Sequence, residues 1–104
     1  MSKVFVTQYS PRLQFVEAED FGEVQFLTDK EYRPEPVPPT VNQTTNKMIM
    51  RKLVSEYIPG EDYILLTGSS IPNVVAGMAI AKMPGPHRLL KWSNRMKKYE
   101  LYII

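Results

Sequence analysis

Residues 62–81 read Asp62-Tyr63-Ile64-Leu65-Leu66-Thr67-Gly68-Ser69-Ser70-Ile71-Pro72-Asn73-Val74-Val75-Ala76-Gly77-Met78-Ala79-Ile80-Ala81. Asp62–Thr67 is the clearest strand in the chain, and its continuous apolar run is what a parallel strand needs when both of its faces are covered. Gly68-Ser69-Ser70 then turns the chain. Pro72 falls in the first turn of a helix, where a missing N–H leaves no bond unmade. The helix that follows carries no charge until Lys82, so it is predicted to be buried on most sides. Its small residues Ala76, Gly77, Ala79 and Ala81 allow close approach to a sheet. A buried strand turning directly into a buried helix is half of a β-α-β unit, and it places the chain in the α/β class.

The flanking segments extend the pattern. Lys3–Gln8 (KVFVTQ) is a second strand, with Val4 and Val6 on one face and Phe5 on the other. Ser10-Pro11 offers a hydroxyl cap and a proline for a short helix through Phe15, Val16 and Ala18 to Phe21, with Gly22 as a left-handed stop. Pro11 fits an irregular turn as well. Glu23–Thr28 is a strand. Residues 33–41 form a Pro-rich connector, since prolines neither propagate a helix nor donate to a ladder. From about Asn42 to Ile58, apolar residues at Ile49, Met50, Leu53, Val54, Tyr57 and Ile58 follow helical spacing. Thr44 or Thr45 is the expected cap, and Pro59-Gly60 the stop. Pro84-Gly85-Pro86 closes the second main helix. Arg88–Trp92 and Glu100–Ile104 then form a hairpin across the basic connector Ser93–Tyr99.

The predicted architecture is one α/β domain over residues 1–104. Its sheet is small and mostly parallel, in the order 2-1-3-4 with an antiparallel C-terminal edge strand, flanked by two main helices. This is a doubly wound pattern in reduced form, and a two-layer sandwich is its competitor. The edge strand carries Leu101, Tyr102, Ile103 and Ile104 on both faces, which predicts pairing into a homodimer.

Composition narrows the chemistry. The chain has 104 residues, of which 43% are hydrophobic and 23% charged, and such a chain folds as one globular domain. No apolar run reaches the ~18 residues of a membrane span. MSKVFVTQYS has no apolar core of the secretory kind, so no signal peptide is expected. With no cysteine and one histidine, disulfides, thiolate metal sites and two-histidine sites are excluded. No metal or cofactor is expected. The net charge of +2 hides a division. Residues 1–62 carry seven basic and ten acidic side chains, whereas residues 63–99 carry six basic and no acidic ones.

In an open parallel sheet, ligands bind beyond the carboxyl ends of the strands where the strand order reverses. That predicts a site between the first and third strands, built from Thr7, Gln8, Tyr9 and Ser10 on one turn and Thr67, Gly68, Ser69 and Ser70 on the other. Hydroxyls, a glycine and the amides of a helix N-terminus suit a phosphate or a nucleotide. The same residues also serve as plain turn and cap. No GxGxxG or P-loop pattern is present. Asp29 and Glu31 fit a ribose contact or an ordinary loop. His87, at a strand entry, is a candidate ligand contact, or with the Ser/Thr turn a base for nucleotide cleavage. A basic surface of Arg88, Lys91, Trp92, Arg95, Lys97 and Lys98 interleaves cations with an aromatic ring, as nucleic-acid binders do.

KVFVTQYSP with FGEVQFLT, then DYILLTGSSIP, AGMAIA and HRLLKW, resemble a family of small proteins of tailed bacteriophages. The resemblance implies a virus-encoded protein made in the cytoplasm of an infected bacterial cell. It carries no catalytic residues across. It favours a non-enzymatic accessory or host-interaction protein that binds a host or phage macromolecule. The alternatives are a small-molecule binder that takes a nucleotide or phosphorylated signal at the carboxyl edge of the sheet, and a nucleic-acid-binding accessory that uses the basic hairpin.

Overall fold

The computed structural model describes residues 2–11 and 14–104. Five strands, β1 (Lys3–Val6), β2 (Glu23–Phe26), β3 (Tyr63–Leu66), β4 (Arg88–Ser93) and β5 (Lys98–Ile103), form one sheet in the order β2-β1-β3-β4-β5. The first four run parallel and β5 is antiparallel to β4. This is the predicted architecture. Two helices, α1 (Pro39–Glu56) and α2 (Ser70–Ile80), supply the crossovers from β2 to β3 and from β3 to β4.

The alternation of side chains along β1 and β3 divides the core in two. Phe5 and Ile64, paired in register, face the helices together with Leu27, Ile49, Leu53, Tyr57, Val75, Ala76 and Ile80. Val4, Val6, Leu65 and Leu90 face the other way, into a second core with Ala18 and Tyr99. Both α-helices therefore lie on one face. The opposite face is closed by a single 3-10 turn, Val16–Asp20, and by aromatic rings. Phe15 packs edge-on to Phe26, Phe21 tilts against Tyr63, and Trp92 meets Tyr99 with ring centroids 5.0 Å apart.

Several expectations are corrected. The short helix predicted from Pro11 to Phe21 is reduced to that 3-10 turn, and Pro11 lies in a turn. Arg12 and Leu13, part of the same expectation, lie outside the described residues. Gly22 does not adopt a left-handed conformation. A side chain there would collide with the Ser2 carbonyl of the incoming β1, so close approach explains this glycine. Helix α1 begins at Pro39 rather than near Asn42. Pro38 is its cap and Pro39 its first residue, the one helical position proline fits well. Thr44 and Thr45 are interior: Thr44 donates back to the Thr40 carbonyl at 2.8 Å and Thr45 is buried.

Helix α2 is not buried on most sides. Val75, Ala76 and Ile80 face the sheet, while Ile71, Val74 and Met78 stand in solvent. The expected stop after α1 is present, with Gly60 at φ +81. There the buried Asp62 carboxylate accepts from the Ile58 amide at 2.8 Å and from the Lys3 amide at 2.9 Å. It thereby ties the end of α1 and the start of β1 to β3. Glu56 bridges Lys52 and Lys3, with Lys52 the stronger influence holding its carboxyl below the ordinary range.

Candidate functional site

The strand order reverses between β1 and β3, so the turns after these strands meet at the carboxyl edge of the sheet. The two threonines that end them are in contact. The Thr7 hydroxyl donates to Asn73 Oδ1 at 2.6 Å, and the Thr67 hydroxyl lies 3.2 Å from that of Thr7. Asn73, one turn into α2, closes the network. Its Oδ1 accepts from the Thr67 amide at 3.2 Å, and its Nδ2 donates to the Thr67 carbonyl at 2.7 Å. Gln8 is turned away to the Lys30 carbonyl at 2.8 Å, and Tyr9 donates its amide to the Thr28 carbonyl at 2.8 Å. The polar groups at the centre of the switch point thus satisfy one another, as buried polar groups must.

What remains open lies on either side of Gly68. One cleft of about 500 Å³ is lined by Gln8, Tyr9, Ser10, Pro11, Asp29, Glu31, Gly68 and Ser69. A second of about 490 Å³ lies toward the 3-10 turn, with Phe15, Glu17, Thr67, Gly68, Lys91 and Trp92 among its walls. Ser70 lines a smaller hollow beside Gln8, Glu31 and Tyr32. Gly68 is the common wall. A Cβ placed there meets nothing within 4 Å, so a side chain would project into open space. The first cleft carries two carboxylates and no basic side chain among the described residues, whereas the second carries Lys91. The cap of α2 is Ser69, without a side-chain hydrogen bond. The helix start is organised by Asn73 instead, a residue that the sequence pattern does not single out.

His87 is not at this site. It precedes β4, whose first residue pairs with Tyr63 at the start of β3, so it lies at the amino edge of the sheet. The Met83 carbonyl can only accept, so His87 Nε2 carries a proton toward it at 3.2 Å. Its Nδ1 shares a 2.7 Å hydrogen bond with the Tyr57 hydroxyl, and the two rings stack. Burial pushes the Tyr57 phenol up to about 12, with the Asp62 carboxylate a smaller contribution in the same direction.

The basic surface is also divided. Arg88 is held at the amino edge, with its guanidinium over the Tyr63 ring at 3.9 Å and a hydrogen bond to the Glu61 carbonyl. Trp92 packs on the buried Tyr99 and donates to Asn94 Oδ1 at 3.1 Å. Lys91 sits across from Glu100. Arg95, Lys97 and Lys98 stand exposed around the hairpin turn, with Lys97 at φ +55. Cations without free rings make a poorer surface for stacking bases than the sequence pattern implies.

Among the described residues no group of three or more His, Asp or Glu is placed to hold a metal ion, and no helix is long and apolar enough to cross a membrane. Residues 2–104 match the Phage Pam3 gp32-like protein family. The chain belongs to that family. No curated protein and no solved structure matches it. Membership agrees with the resemblance read from the strand and turn segments, and it makes this a protein of a phage family.

Proposed function

We propose that the protein is a non-enzymatic phage accessory that works in the infected bacterial cell by binding a host or phage protein through the outward face of α2. The observation that carries this reading is the stripe Ile71, Val74 and Met78. These residues are 50%, 59% and 61% exposed on a helix with no charged side chain between Ser70 and Ile80. An ordinary surface helix places charged residues on its solvent face. Val54 of α1, 67% exposed, adds apolar surface to the same helical layer. A partner with a complementary apolar face fits this surface. The test is affinity capture from infected cells with wild-type protein and with the folded double variant Val74→Lys/Met78→Glu. A partner retained by the wild type and lost by the variant supports the reading. A partner held equally by both moves the contact to another surface.

A second reading rests on Gly68. The clefts on its two sides offer carboxylates suited to ribose hydroxyls and a lysine suited to phosphate, so a nucleotide could straddle the glycine. A nucleotide panel in a thermal-shift assay tests it, because ligand at 100 times its Kd adds about 2.7 kcal/mol of stability. Gly68 has no left-handed φ, so Gly68→Val should fold and should abolish any such shift. A shift that persists in the variant would place the ligand elsewhere.

A further inference from the structure

We propose that the sheet is continued by a second copy of this chain, β5 against β5, in the antiparallel register that sets Leu101 opposite the second copy's Leu101. The surface is distinct from the α2 stripe, so the two readings stand or fall separately.

Strand β5 ends the sheet order, has six residues and contains no proline, whereas the other edge, β2, has only four residues. Long, unblocked edges of this kind present a row of backbone groups ready to pair. The β4–β5 ladder determines which groups those are. His87 and Ile104 exchange both of their hydrogen bonds, at 2.8 and 2.9 Å. Hydrogen-bonded and non-bonded pairs alternate in an antiparallel ladder. Lys98, Glu100 and Tyr102 therefore turn their backbone groups toward β4, and those of Tyr99, Leu101 and Ile103 face the open edge.

A two-fold axis that continues the sheet keeps each face on its own side. Outward residues can then meet only one another, and the registers that engage at least two of Tyr99, Leu101 and Ile103 are those centred on Glu100, Leu101 and Tyr102. Centred on Glu100, the register sets two carboxylates directly opposite, and like charges so placed are destabilising. Centred on Tyr102, it pairs Leu101 with Ile103 and leaves Tyr99 beyond the ladder. Centred on Leu101, it lets all three outward residues exchange hydrogen bonds reciprocally, Leu101 with Leu101 and Tyr99 with Ile103. Glu100 then faces Tyr102 of the second copy. That hydroxyl reaches Glu100 of its own strand only at 3.4 Å and gains a second carboxylate to donate to. Leu101 and Ile103, 44% and 63% exposed, lie on one face and become a continuous apolar row.

The absence of cysteine makes the register directly measurable. In the proposed pairing the two Leu101 Cα atoms are about 5.5 Å apart, within disulfide reach, whereas two Glu100 residues are diagonal neighbours at about 7–8 Å. Light scattering on the wild type should give twice the chain mass. On oxidation, Leu101→Cys should run as a covalent dimer and Glu100→Cys should not. Leu101→Pro removes an N–H that faces outward, so it should fold and give a monomer. If that variant misfolds, Leu101→Lys, which sets two ammonium groups opposite each other, should give the monomer. A monomeric wild type overturns the proposal. Linkage at position 100 without linkage at 101, or a folded Leu101→Pro or Leu101→Lys variant that remains dimeric, does so as well.

Discussion

Asn73 does for α2 what the sequence assigns to the serines before it. Its amide holds both the N–H and the C=O of Thr67 and accepts the buried Thr7 hydroxyl. Asn73→Ala strands these groups, and a buried polar group left unpaired costs about 1–3 kcal/mol. Ser70→Ala should change stability by less than about 0.5 kcal/mol, because Ser70 is exposed and is not the cap. Urea unfolding of both variants checks the ranking, and equal losses would mean that the Thr7–Thr67–Asn73 network contributes little. Thr7 and Thr67 are legible in the sequence because they end adjacent strands. Asn73 is not, because its role exists only once β1 lies beside β3. Asp62 is hidden for the same reason: one of its partners, the Lys3 amide, is 59 positions away. The Tyr57 phenol offers a separate measurement. Its folded value of about 12 lies above the ordinary value near 10, so the folded state favours the neutral phenol. The stability this represents is complete below pH 10 and is lost as pH rises through the folded value. Burial also pushes up the Tyr32 and Tyr99 phenols, so an ultraviolet pH titration should show Tyr57 as the last of several late-ionising tyrosines, and Tyr57→Phe should remove that last step.

At the scale of elements, the strands are the most legible, because apolar runs on both faces have few alternative uses. The two helices are legible as elements, but their limits and faces are not. The Pro-rich segment reads as a connector up to residue 41, yet Pro39 already belongs to α1, because proline's fixed φ suits a first helical residue. In α2, composition alone does not separate a helix buried all round from one buried on one side with apolar residues left in solvent. Exposure makes the distinction testable. Ala76 is buried between the sheet and α1, so Ala76→Leu should overpack the layer and cost about 1–3 kcal/mol. Val74→Lys, on the outward side of the same helix, should stay within about 0.5 kcal/mol of wild type. If Val74→Lys costs as much as Ala76→Leu, the outward face of α2 is not a free surface. The 3-10 turn ahead of β2 is the least legible element. Only one short crossover serves that face, and aromatic rings rather than a full helix close it.

For the molecule as a whole, the strand order follows from two features of the amino-acid sequence: which strands are apolar on both faces, and that the chain ends in a hairpin. The candidate site is less accessible. The reversal between β1 and β3 does bring the turns at Thr7–Ser10 and Thr67–Ser70 together, but His87 belongs to the opposite edge, since every parallel strand enters at the same end. Sheet geometry also fixes the shape of any assembly built on it. The chain has a radius of gyration of 13.5 Å, close to the ~13 Å usual for its length. Five strands spaced about 4.8 Å apart make each sheet about 24 Å wide, so joining two copies along β5 sets their centres about that far apart. Combining this separation with the radius of one chain gives about 18 Å for the pair. Small-angle X-ray scattering on the wild type should therefore give a radius near 18 Å, and the value should return to near 13.5 Å in the folded Leu101→Pro variant. A single value near 13.5 Å for both proteins would leave β5 as a solvent-facing edge and remove the ten-stranded sheet.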